Sequence, residues 1–140
     1  IDIACFYEDL PDIIETLSEI GINFIYKFQD NDFPEQVEYR FFYKDIPFDI
    51  FVFHKATSYV YCTDFVRKSD EFFTRELRFE HFDLASIVID GHSYVTPSNP
   101  EKFLASRYGP SFMTPDRSFD YKNPAPCIFA TKRKAKMIPL

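Results

Sequence analysis

The chain has 140 residues, 46% of them hydrophobic, with 18 Phe, 9 Tyr, no Trp and a net charge of -6. That describes one globular domain whose core is dominated by aromatic rings, neither disordered nor of low complexity. The acid excess excludes a general nucleic-acid coat, which needs a basic face, and no apolar run approaches the roughly 18 to 20 residues of a membrane-spanning helix.

Ile1 to Phe6 alternates as a half-buried strand with Asp2, Ala4 and Phe6 on one face. Leu10, Ile13, Ile14, Leu17 and Ile20 fall at helical spacing, with Pro11 in the first turn and Gly21 as the stop. Asn23 to Phe28 reads as a strand, Asp30 to Asp32 as a polar loop, and Val37 to Tyr43 as a strand with Val37, Tyr39, Phe41 and Tyr43 on one face. Lys44-Asp45 turns the chain into Phe48 to Phe53, apolar on both faces and therefore central in its sheet. Lys55 to Glu80 is less regular, with a strand at Ser58 to Cys62 and a charged loop around Arg67 to Glu71.

Asp90-Gly91 predicts a tight hairpin between Ser86 to Ile89 and Ser93 to Val95. Asn99-Pro100 opens a short helix that turns Phe103 and Leu104 inward and stops at Gly109. From Pro110 onward the Pro-rich chain is expected to wrap the surface without long regular elements, and Lys132, Arg133, Lys134 and Lys136 read as a solvated end. The chain opens with Ile, already inside an apparent strand. It therefore reads as a fragment or processed product that lacks whatever lies upstream.

Two acids carry the chemical interest. Asp2 and Asp49 sit in apolar strands, where a carboxylate must be compensated by a cation or by several hydrogen-bond donors. Strands lying side by side would let the pair hold a divalent metal for phosphoryl transfer; the alternative is a strand-end Asp bonded to backbone amides. His54, His81 and His92 lack paired spacing, and His54 reads as a strand-end surface residue. Cys5, Cys62 and Cys127 form no Cys-x-x-Cys pair, so a structural zinc site is not expected. Neither a Gly-x-Ser-x-Gly elbow nor a Gly-rich phosphate loop occurs. Arg107-Tyr108-Gly109 and Phe119-Asp120-Tyr121-Lys122 bring cations and rings together, as a diphosphate-and-base site or as a helix-end Arg with a packed Tyr.

In order, these segments resemble the fukutin branch of the LicD-like nucleotidyltransferase-fold family. Ile1-Asp2-Ile3 looks like the end of its acidic stretch, Pro11 to Ile20 like the helix after it, and Phe48-Asp49-Ile50-Phe51-Val52-Phe53 like its second acidic strand. Tyr94-Val95-Thr96-Pro97, the Glu101 to Arg107 helix, Tyr108-Gly109, and Phe119 to Lys122 before Pro124 and Pro126 continue the match. The resemblance implies an α/β (α+β) fold with a mixed sheet flanked by helices, incomplete at its N-terminus, over a single catalytic domain spanning 1–140. It implies a phosphotransferase that moves an alcohol phosphate, ribitol phosphate or phosphocholine, from a CDP-activated donor to a glycan hydroxyl. A non-catalytic glycan- or partner-binding module is the alternative. By the same resemblance Asp2 and Asp49 are the metal ligands, for Mg2+ or Mn2+, and Arg107, Tyr108 and Lys122 belong to the donor site. Further implications are a Golgi or secretory-pathway lumen location, a membrane anchor upstream of this chain, no nucleic-acid partner, and an inactive isolated fragment because the upstream acids are missing.

Overall fold

The computed structural model describes residues 1–122 and 124–140 and is built mainly of strands, 51% strand against 16% helix. Strand β1 (Asp2–Phe6) leads through a short 3-10 turn at Tyr7–Asp9 into helix α1 (Leu10–Glu19). Then come β2 (Phe24–Asp30), β3 (Val37–Tyr43), β4 (Ile46–Lys55), β5 (Val60–Lys68) and β6 (Glu71–Phe79). A separate ribbon of β7 (Leu84–Ile89) and β8 (His92–Pro97) precedes helix α2 (Pro100–Tyr108), and β9 (Ile128–Pro139) ends the chain.

The main sheet runs β1-β4-β3-β2-β9-β6-β5, and a further pairing of β4 with β5 closes six antiparallel strands into a barrel. Strand β1 lies outside that ring, parallel to β4. The expected helix-flanked mixed sheet is therefore wrong: the fold is a β-barrel with only two helices among the described residues. The correction comes from two stretches. Lys55 to Glu80 is not irregular; it forms a hairpin in which Val60 to Lys68 pairs with Glu71 to Phe79, and the charged loop shrinks to Ser69-Asp70. The tail beyond Pro110 is not wholly extended coil, because Ile128 onward forms the longest strand and pairs with both β2 and β6. With those strands present the sheet can close and so hide its edges.

Local chemistry explains the remaining elements. Leu10 is buried and Ile13, Ile14 and Leu17 are half-buried, packing on Val37, Phe41, Ile50 and Val52 of β3 and β4. Each such side chain contributes about 1.5–3 kcal/mol when fully buried. Lys44 and Asp45 both take positive φ, 48° and 63°, the two-residue turn whose twist suits a hairpin. Asp90 and Gly91 do the same between β7 and β8, at φ 50° and 80°. Asn99 Oδ1 accepts the Lys102 N–H at 3.1 Å and caps α2, which ends at Gly109 with φ 90°.

A second apolar cluster, Phe53, Val60, Cys62, Leu77, Phe79 and Cys127, is covered by Phe103 of α2, whose ring stacks on Phe79 at 4.3 Å. Across the barrel Phe28 meets Phe65 at 5.6 Å, although β2 and β5 are three strands apart in the sheet order. At one end Asp30, with a fully buried side chain, accepts the Arg133 Nε at 2.8 Å and the N–H groups of Asp32 and Phe33. Arg133 also donates to Glu76 at 3.0 Å and to Gln36 at 2.7 Å. Burial pushes the Asp30 carboxyl up, but these donors outweigh it and hold the group below its ordinary value. The basic run is therefore not simply a solvated end: Lys132, Lys134 and Lys136 face out, while Arg133 is part of the barrel's buried polar network.

Candidate functional site

Strand β1 lies beside β4 with Asp2 opposite Asp49, Ile3 opposite Ile50 and Ala4 opposite Phe51. Partners in register point to the same face, so the two acids do come together. They are not equivalent. Asp2 is exposed, while Asp49 is half-buried and clamped by Arg40, whose Nε and Nη2 each donate to one carboxylate oxygen at 2.6 Å. Arg40 Nη1 donates to Tyr26 Oη at 2.9 Å, completing the fork. The Asp49 bonds hold Arg40 firmly protonated.

That clamp answers how a carboxylate survives in an apolar strand: an arginine from the neighbouring strand compensates it, as β3–β4 pairing sets Arg40 opposite Asp49. It also bears on a divalent cation. Both Asp49 oxygens already accept from a guanidinium, leaving Asp2 as the lone uncommitted acid of the pair. No group of three His, Cys, Asp or Glu side chains able to hold a metal occurs among the described residues. A magnesium or manganese ion does not fit this donor set, which would offer it one free carboxylate next to a fixed positive charge.

Two further charged groups line up beyond the pair. Asp64 on β5 is clamped in the same way by Arg75 on β6, Nε to Oδ1 at 2.9 Å. Between the clamped acids lies Glu38, only 8% exposed. Burial, reinforced by Asp49 and Asp64, pushes its carboxyl up to about 8, so it is mostly protonated at neutral pH. Sequence reasoning missed Glu38, Arg40, Asp64 and Arg75. The usable signal was period two: Glu38 and Arg40 share the face of β3 opposite Val37, Tyr39 and Phe41.

A cleft of about 220 Å³ opens beside Asp2, between β1, β4, β5, β6 and α2. Phe51, Phe53 and Phe79 contribute to its apolar wall, and Arg107 and Tyr108 from the end of α2 enter it. The fold therefore brings Asp2, Arg107 and Tyr108 to one cavity. Arg107 Nη1 is buried and has no hydrogen-bond partner among the described residues. Its guanidinium lies 5.4 Å from the centre of the Tyr108 ring. A guanidinium cannot shed its proton to escape burial, so the buried Nη1 remains a cationic donor, best matched by an anion.

Lys122 is not among the residues lining this cleft. Its carbonyl, with that of Tyr121, accepts from Arg75 at 3.2 and 3.3 Å, and its Nζ lies over the Tyr121 ring. Its visible role is to tether the Pro-rich segment to β6. Cys62 also lines the cleft, but burial raises its thiol well above the ordinary range, so it is no nucleophile.

His54 is not the surface residue expected. It is buried, its ring lies between Tyr7 and Tyr61 at 5.0 and 5.3 Å, and Nε2 has no partner among the described residues. Burial lowers its pKa, so the ring is held neutral.

No helix among the described residues is long and apolar enough to cross a membrane. No protein-family model matches the chain, no curated protein matches it, and no solved structure matches its fold.

Proposed function

We propose that the cleft beside Asp2 binds a CDP-activated alcohol through its diphosphate and serves transfer of the alcohol phosphate to a glycan hydroxyl. The observation that carries this reading is the buried, unpartnered Nη1 of Arg107 in the same cavity as the exposed carboxylate of Asp2. Arg107 would meet the phosphate oxygens and balance the charge that builds on them during displacement. Asp2 would take the proton of the acceptor hydroxyl as its oxygen attacks the alcohol-bearing phosphorus. The new bond joins acceptor oxygen to that phosphorus, the bridging P–O bond breaks, and CMP leaves with the electron pair. Tyr108 flanks the guanidinium and would cover the ligand. No step runs through a metal, because the Asp2–Asp49 pair does not fit one.

The Arg40 clamp on Asp49 favours a second reading, binding of the same ligand without transfer, since it withdraws one of the two acids from chemistry. One experiment separates the two. Calorimetry with CDP-ribitol tests binding, and release of CMP in the presence of a glycan acceptor tests transfer, on the native chain, Arg107→Gln and Asp2→Asn. The transferase reading expects Arg107→Gln to lose binding and Asp2→Asn to bind but release no CMP. Binding without CMP release by the native chain selects the second reading, and absence of binding overturns both.

A further inference from the structure

Asp2 to Phe6 borders a second and larger hollow, about 570 Å³, on the open side of β1. Its far wall is the β8 end of the separate ribbon, including Tyr94, Val95 and Thr96. Among the described residues β1 pairs only with β4 and β8 only with β7, so two strands that each have one unpaired side line one groove. The direction of the amides on β1 can be read from its first residue. Ile1 spends both main-chain groups on β4, donating to Pro47 O and accepting from Asp49 N. In a regular parallel pairing the bonding alternates residue by residue, so Asp2 and Ala4 turn their amides to the open side.

The groove is apolar on its walls: Tyr94 is 51% exposed and Val95 71% exposed. The charged residues lining it are Asp2 and Asp9, both acidic, and no Lys or Arg is among them. Five residues of β1 match an extended segment of about 17 Å.

We propose that this groove is a docking site for an extended peptide of a partner protein, which adds as a strand to the free side of β1. Alternate apolar side chains of the peptide would rest on Phe53, Phe82 and Tyr94, and a Lys or Arg would face Asp2 and Asp9. Main-chain bonds supply the affinity in such strand addition, and the alternating side chains supply the selection. The groove shares Asp2, Ile3, Ala4, Phe53 and Phe103 with the phosphate cleft but not Arg107 or Tyr108, so the peptide reading does not depend on the anion-binding cation.

The test uses a fluorescent hexapeptide alternating Val with Lys and Thr, and the same peptide with alternate amides N-methylated or with Lys replaced by Glu. Anisotropy with the full chain should show saturable binding of the first peptide, with the other two weaker by about tenfold or more. Ala4→Pro, which removes an outward amide from an edge strand where Pro is tolerated, should weaken binding to the same degree. Its unfolding midpoint should not change. Equal binding of the N-methylated peptide to the native chain overturns the proposal whether or not Ala4→Pro folds. A chain that sediments as a dimer, dissociated by Ala4→Pro, overturns it too, because a second copy then fills the groove.

Discussion

Arg133 and Arg107 are both arginines with little access to water, and the protein treats them in opposite ways. Around Arg133 each guanidinium nitrogen donates, to Asp30, Glu76 or Gln36, drawn from three different segments. Around Arg107 one nitrogen is buried with nothing to accept from it, at the wall of a cavity. Removing a partner from a closed network strands the remaining charges, so such a network holds a fold together. An open valence beside a cavity costs stability and is retained where a ligand completes it. The contrast separates the barrel's polar frame from its candidate binding cleft.

Arg133→Met is the strongest way to break that contrast. It leaves Asp30 buried without its cation and Glu76 held by Arg78 alone, and should lower the unfolding free energy by about 3–5 kcal/mol in urea titration. A loss under about 1 kcal/mol would put Arg133 in the same class as Arg107.

Next in size is Glu38→Gln. The folded carboxyl titrates near 8 and the unfolded one near 4.5. Between those values the folded state keeps a proton that the unfolded chain has lost, so stability falls as pH rises through the window. Gln needs no such proton. The variant should therefore gain on the order of 2 kcal/mol at pH 9 and little at pH 4, read from unfolding midpoints across pH. A gain independent of pH would show that Glu38 is already ionised in the fold.

Asn99→Ala removes the cap of the helix that carries Arg107 and should cost about 1 kcal/mol. The smallest expected effect is Arg107→Met, within about 0.5 kcal/mol of the native chain or slightly more stable, because no acid loses its partner. A cost near that of Arg133→Met would mean that Arg107 belongs to the frame.

How far the sequence revealed these features depends on where polar residues interrupt a pattern. Helix α1, the strands on either side of Lys44-Asp45, the Asp90-Gly91 hairpin and the capped α2 were all legible, because apolar period and turn chemistry agree there. Strand β9 was not, since its inward positions include Thr131, Arg133 and Ala135 in place of large apolar residues, and alternation between Arg and Lys reads as a charge run. Strands β5 and β6 were obscured likewise by buried polar residues, Asp64 and Arg75 paired with each other and Glu76 paired with Arg133 and Arg78.

Missing β6, β9 and all but the start of β5 turned a barrel into an expected helix-flanked sheet. At the site, the side-by-side placement of Asp2 and Asp49 was legible from two apolar strands each bearing one acid. That Arg40 would compensate Asp49 was not, because it depends on the register across a turn and not on spacing along the chain.

The claim that matters most is that Arg107 awaits a phosphate-bearing ligand. Titrating CDP-ribitol into the native chain and into Arg107→Gln by calorimetry, with unfolding midpoints measured on both, tests it directly. Saturable binding by the native chain that weakens at least about tenfold in a variant of unchanged stability is the predicted result. Equal affinity in the two proteins, or no binding by either, would contradict it.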